Sequence, residues 1–120
     1  MVRVLLVEDN RIYREAFKAN LGERFPTMLI EEAENGDEAL RKVSVAPPDL
    51  IFMDINLPGA NGLQLTQKIK EDFPSVHIVL LTGNDLPEYR QAGIQNGADG
   101  FFVKESLKWD EVEALAKSIE

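Results

Sequence analysis

Four apolar runs in this chain end on polar residues suited to phosphoryl chemistry: Glu8 and Asp9 after residues 2–7, Asp54 after 50–53, Thr82 after 78–81, and Lys104 after 101–103. Each run has the length of a buried strand, and a parallel α/β sheet presents its strands' carboxyl ends along one edge, where ligands bind. Placement at that edge brings together residues that are far apart in sequence. Acids, a hydroxyl and a lysine form the donor set for a hard divalent cation beside a transferring phosphoryl group.

Taken singly, each residue has an ordinary reading. Glu8-Asp9 alone is a solvated acidic turn capping the first helix. Two adjacent carboxylates share a site only where the backbone leaves strand geometry, and packed like charges resist ionisation unless a cation relieves them. Mg2+ suits that task because it takes hard oxygen ligands and needs only one or two carboxylates. Asp54 alone is a turn aspartate before Asn56-Leu57-Pro58-Gly59, but after Leu50-Ile51-Phe52-Met53 it sits at the end of a buried strand. There its carboxylate can attack phosphorus and form an aspartyl phosphate. The Thr82 hydroxyl can bond a phosphoryl oxygen, and Gly83 leaves room for a backbone N–H to approach, although Thr before Gly is also common turn chemistry. Lys104 can neutralise a phosphoryl group as a point charge, or be one more surface lysine. His77, alone within a strand, reads as packed or hydrogen-bonded rather than as a ligand.

Stepping of apolar residues supplies the elements that would position this set. Strands are expected over 2–7, 28–33, 50–53, 76–81 and 100–103, the second at a sheet edge because Glu31 and Glu32 interrupt it. Helices are expected over 11–21, capped by Asn10 and ended by Gly22, then over 37–45, to about 72, over 87–96 with Gly97 ending it, and over 106–119. The first helix carries two candidate stripes, Ile12, Ala16, Ala19 and Tyr13, Phe17, Leu21, while the last aligns Trp109, Val112, Ala116 and Ile119. Strict strand-then-helix alternation with short connections predicts a parallel sheet covered on both sides through right-handed crossovers.

With 120 residues the chain is expected to be one domain over 1–120. Thirteen Lys plus Arg against 21 Asp plus Glu leave a net charge of −8, which repels a phosphate backbone and argues against direct nucleic-acid binding. Without cysteine there is neither a disulfide framework nor a thiolate site, as fits the cytoplasm. The apolar start, from Met1 to Val7, is too short for a signal peptide or a membrane span. Neither a G-x-x-x-x-G-K-[ST] loop nor a G-x-G-x-x-G follows a strand, so a nucleotide enzyme is disfavoured.

The segments Val4-Leu5-Leu6-Val7-Glu8-Asp9-Asn10, Asp54-Ile55-Asn56-Leu57-Pro58-Gly59 with Asn61-Gly62-Leu63, Leu80-Leu81-Thr82-Gly83, and Gly97-Ala98-Asp99-Gly100-Phe101-Phe102-Val103-Lys104 together make the chain resemble a response-regulator receiver domain of bacterial two-component signalling. Residues 97–106 resemble the LuxR/NarL-type subfamily in particular. The resemblance implies a flavodoxin-like (βα)5 three-layer sandwich with a five-stranded parallel sheet of order 2-1-3-4-5. It further implies Asp54 as phosphoacceptor, Asp9 as a direct Mg2+ ligand, Glu8 acting through water, and Asn56 ligating through its carbonyl. Thr82 and Lys104 take the places of the switch hydroxyl and the phosphate-pairing lysine, and Phe101 that of the switch aromatic. Asn56 and Asn84 occupy positions that tune the lifetime of the acyl phosphate. Glu105 stands where many receivers have Pro, which leaves the geometry of the Lys104–Glu105 peptide open, and Asn61 replaces a common Asp.

The implied partners are a sensor histidine kinase or phosphotransfer protein, and a homodimer formed on phosphorylation is one implied output. The implied role is transcriptional regulation through another domain or partner, with self-phosphorylation and autodephosphorylation instead of ordinary multiple turnover. Two other readings are weaker. A haloacid dehalogenase-like phosphatase would carry a second Asp where this chain has Asn56, and a flavodoxin-like cofactor binder would have phosphate-cradling glycines where it has Glu8-Asp9-Asn10-Arg11.

Overall fold

A computed structural model of the chain describes residues 2–119, so Met1, at the head of the apolar start, lies outside the described residues. In chain order the elements are β1 Arg3–Val7, α1 Arg11–Arg24, β2 Leu29–Ala33, α2 Gly36–Val45, β3 Leu50–Asp54, β4 Asn56–Leu57, β5 Ala60–Asn61, α3 Gly62–Asp72, β6 His77–Thr82, α4 Pro87–Gln95, β7 Gly100–Val103, a 3-10 turn Lys104–Ser106, and α5 Trp109–Ile119. The principal sheet is parallel, in the order β2-β1-β3-β6-β7. This is the expected 2-1-3-4-5 order once the two-residue β4 and β5, which pair with each other antiparallel, are set aside.

Burial explains that order. Every residue of β3 is buried, and β6 is buried beyond His77, as central strands covered on both faces require. β2 alternates exposed and covered residues and occupies an edge, as Glu31 and Glu32 indicated. On one face α1 and α5 bring Phe17, Leu21, Val112 and Ala116 against Leu6, Phe52 and Leu81. On the other, α2, α3 and α4 cover Leu5, Val7, Ile51, Met53 and Leu80.

The structure corrects several boundaries. Of the two stripes on α1, the one with Phe17 and Leu21 faces the sheet, while Ile12 is 82% exposed. α1 continues past Gly22 to Arg24 because buried Phe25 holds its last turn down, its N–H donating to the Leu21 carbonyl at 2.9 Å. The last α-helix begins at Trp109, not 106, because Lys104–Ser106 first make a 3-10 turn. The Lys104–Glu105 peptide is trans, and among the described residues no peptide bond is cis. Gly97 ends α4 in the left-handed region, with φ 93°, where glycine is favoured. His77 is not packed: it opens β6 with its side chain exposed, its Nδ1 4.0 Å from Asp99. Among the described residues no helix is long and apolar enough to cross a membrane.

Candidate functional site

The carboxyl ends of β1 and β3, neighbours in the sheet, bring Glu8, Asp9 and Asp54 together. One carboxylate oxygen from each lies within 4.8 Å of the others. Glu8 and Asp54 are buried and Asp9 is exposed, so the cluster opens to solvent on the Asp9 side. Lys104, the first residue beyond β7, pairs its ammonium with Glu8 and reaches 3.4 Å from Asp54 Oδ2. The Asn56 N–H donates to Asp54 Oδ1 at 3.1 Å, and the Asn10 N–H to Glu8 Oε2 at 3.0 Å. Both Glu8 oxygens are therefore engaged within the protein, whereas Asp9 projects outward.

Burial is the main force raising the Glu8 carboxyl above its ordinary range, and the Lys104 ammonium and the Asn10 N–H oppose it while Asp54 reinforces it. The Tyr13 hydroxyl is pushed up to about 12, by burial first and then by the charges of Glu8 and Asp54. It is a neutral phenol at any working pH. Three hard carboxylates beside one ammonium fit a small divalent cation with a phosphoryl group, since such a cation relieves the like charges.

The remaining expected residues are placed less directly. Thr82 ends β6 fully buried, its Oγ1 accepting the Asn84 N–H at 3.2 Å. Gly83 is exposed, and a Cβ added there would meet nothing within 4 Å, so packing does not itself demand glycine. Phe101 lies on the α4 side of the sheet, its ring 4.7 Å below the Arg90 guanidinium and away from the carboxylates.

The roles of Arg14, which the sequence reading did not name, and of Gly62, named only within a motif, come from the structure. Arg14 is 6% exposed and spans the first loop and β2: its Nη1 donates to the Glu8 carbonyl at 2.8 Å, its Nε meets Glu32 at 3.0 Å, and its Nη2 meets Glu34 at 3.3 Å. An arginine in register with Phe17 and Leu21 on a buried helical stripe was the available signal. Gly62 opens α3 directly under the phosphoacceptor candidate: a Cβ there would run into the Asp54 backbone and come 2.8 Å from Ile55 Cα. Asn61-Gly62-Leu63 marked the position as part of the family pattern, but not the close approach that requires glycine there.

Fold and site together define a flavodoxin-like α/β protein with an acidic, lysine-paired cluster at the carboxyl edge of its sheet. The chain belongs to the response regulator receiver domain family, whose model matches residues 4–117. It is 34% identical to the chemotaxis protein CheY of Halobacterium salinarum over 95% of this chain and 93% of that protein. It is 30% identical to the nitrate/nitrite response regulator protein NarL of Escherichia coli over 93% of this chain but 52% of that protein. Response regulator protein TrrA of Thermotoga maritima, solved in complex with Mg2+-BeF, superposes with a TM-score of 0.87 at 35% identity over 100% of both chains. Apart from the CheY-sized match, the chain spans about half the length of the curated relatives it matches, 44% to 56% of each.

Proposed function

We propose that this chain is a phosphorylation-controlled signalling unit over residues 1–120 in which a histidine kinase or phosphotransfer protein donates a phosphoryl group to Asp54. The observation that carries this reading is the placement of buried Asp54 within 4.8 Å of Glu8 and Asp9 and 3.4 Å from the Lys104 ammonium. An Asp54 oxygen forms a bond to phosphorus as the donor's bond to phosphorus breaks, its electron pair leaving with the donor. Lys104 balances charge on the transferred group, and the remaining chemistry is positioning. Asp9, Asp54 and the Asn56 carbonyl would hold Mg2+, with Glu8 acting through water because both its oxygens are occupied. That cation, when bound, supplies positive charge for the phosphoryl oxygens.

Thr82 turning its hydroxyl toward the phosphoryl group, followed by Phe101, is the switch we assign; it biases the α4 face toward a new partner. Gly83 borders the phosphoryl group with its N–H. The unit phosphorylates itself from small donors and slowly dephosphorylates, without ordinary multiple turnover. Relatives named as transcriptional regulatory proteins support a role in transcriptional control, and we assign it to the cytoplasm, acting through a further domain, a partner or a homodimer formed on phosphorylation.

The test is intact-mass measurement with acetyl phosphate. Wild type with Mg2+ is expected to gain one acid-stable, base-labile phosphoryl group. Omission of Mg2+ or Asp54→Asn should abolish the gain, and Lys104→Ala should slow it by tenfold or more, as loss of a charge-stabilising group does. Undiminished labelling of Asp54→Asn would refute the acceptor.

A further inference from the structure

Lys104 is held between two carboxylates of unequal pull. Its ammonium pairs with fully buried Glu8 and stands 3.4 Å from Asp54, and its side chain is only 19% exposed. Pairing with Glu8 alone would draw the charge toward β1 and away from the oxygen that must accept a phosphoryl group. A third contact acts on the same ammonium. The ring of Tyr13, on the first turn of α1, lies 4.6 Å from Lys104 Nζ. An aromatic face attracts an ammonium, more strongly when water is excluded, and it offers no hydrogen-bond acceptor that would compete with Asp54.

Tyr13 is itself braced. Its ring is tilted against Phe17 with centroids 6.0 Å apart, and Phe17 is fixed in turn by Phe52 and Trp109, each at 4.9 Å. The ring therefore belongs to the packed α1 face and not to a loose surface side chain. From this geometry we propose that Tyr13 is a positioning residue for phosphoryl transfer, its braced ring face fixing the Lys104 ammonium in place beside Asp54. This rests on the assignment of Asp54 as acceptor and Lys104 as its counter-charge. It assigns to α1 a share in the chemistry of β3 and β7.

Acetyl phosphate needs no docked kinase, so its labelling rate reads the site alone. Tyr13→Leu should slow labelling roughly three- to tenfold, the range a single cation–π contact spans. Tyr13→Phe keeps the ring and should restore the rate to within about twofold, since the aromatic face and not the hydroxyl makes the contact. Leu at 13 should have no further effect in a Lys104→Ala background, and Mg2+ affinity followed by Trp109 emission should stay at the wild-type value in Tyr13→Leu. Equal slowing by Tyr13→Leu with and without Lys104 would overturn the proposal, as would a Tyr13→Phe rate as low as that of Tyr13→Leu.

A second measurement needs no chemistry and no stable leucine variant. The Lys104 ε-methylene protons of the wild type should resonate upfield of free lysine because the Nζ they adjoin lies over the ring, and unshifted protons would overturn the contact itself. If Asp54 accepts no phosphoryl group in wild type while those protons are shifted, the phosphoacceptor assignment fails and the Tyr13–Lys104 contact survives without its role.

Discussion

Single residues at the carboxyl edge divide into those that display charge and those that hold the display in place. Asp54 and Lys104 were legible because each follows an apolar run that can only be a strand. Arg14 was not, since a cation within a helix reads as solvent-facing until β2 is known to bring Glu32 and Glu34 to it. Glu32 joins that network through Arg14 and Lys18, at 3.0 and 3.2 Å. Burial acts to raise its carboxyl, but the two cations outweigh burial and hold it below the ordinary 4.5. Its folded value lies below its unfolded one, so the pairs stabilise fully above about pH 4.5 and lose that contribution as pH falls through the folded value. Unfolding free energies of wild type and Glu32→Gln from urea titrations should differ by about 1 kcal/mol at neutral pH, with solvent screening at the Lys18 end included, and the difference should shrink as pH falls through the folded value. A difference that does not shrink as acid protonates Glu32 would remove the ion pairs as its cause.

Elements were read more securely than their ends. Each helix of the (βα)5 pattern is present, yet α1 overran Gly22 and α5 started late, because Phe25 and the 3-10 turn answer to tertiary packing that no local signal encodes. The start of α3 shows how closely an element can be tied to the site. Its first residue, Gly62, donates its N–H to the Ile55 carbonyl at 2.8 Å, and α3 leans on the backbone that presents Asp54. Gly62→Ala should push that backbone aside, costing about 1–3 kcal/mol as overpacking does. Acyl-phosphate formation should fall more than stability does, because a small displacement of Asp54 spoils alignment. Denaturant melts beside labelling rates check this, and a variant with wild-type values for both would show that the contact yields freely.

For the whole molecule, the parallel sheet and its two-sided core followed from alternation of apolar runs and the strand order from the family resemblance, while the convergence of three strand ends on one cluster depends on that order. Glu31 and Glu32 marked β2 as a margin of the sheet, but not the separate parts that the two play there. β2 has no strand partner beyond β1 among the described residues, and half-exposed Leu29 lies on it. Its Glu31 is exposed and its Glu32 is engaged by cations. An open margin of peptide groups is a template that another polypeptide can copy, and charge placed on it makes each copy repel the next. Glu31 thus guards colloidal behaviour, remote from any phosphate. Glu31→Val would turn the edge into Leu-Ile-Val, and light scattering of the purified variant should rise at concentrations where wild type stays clear, with little change in its unfolding midpoint. Scattering equal to wild type would mean that the flanking charges suffice. If the charge does its work, the acidic excess that repels nucleic acid also keeps the molecules of this protein from adding to one another, strand by strand, in a crowded cell.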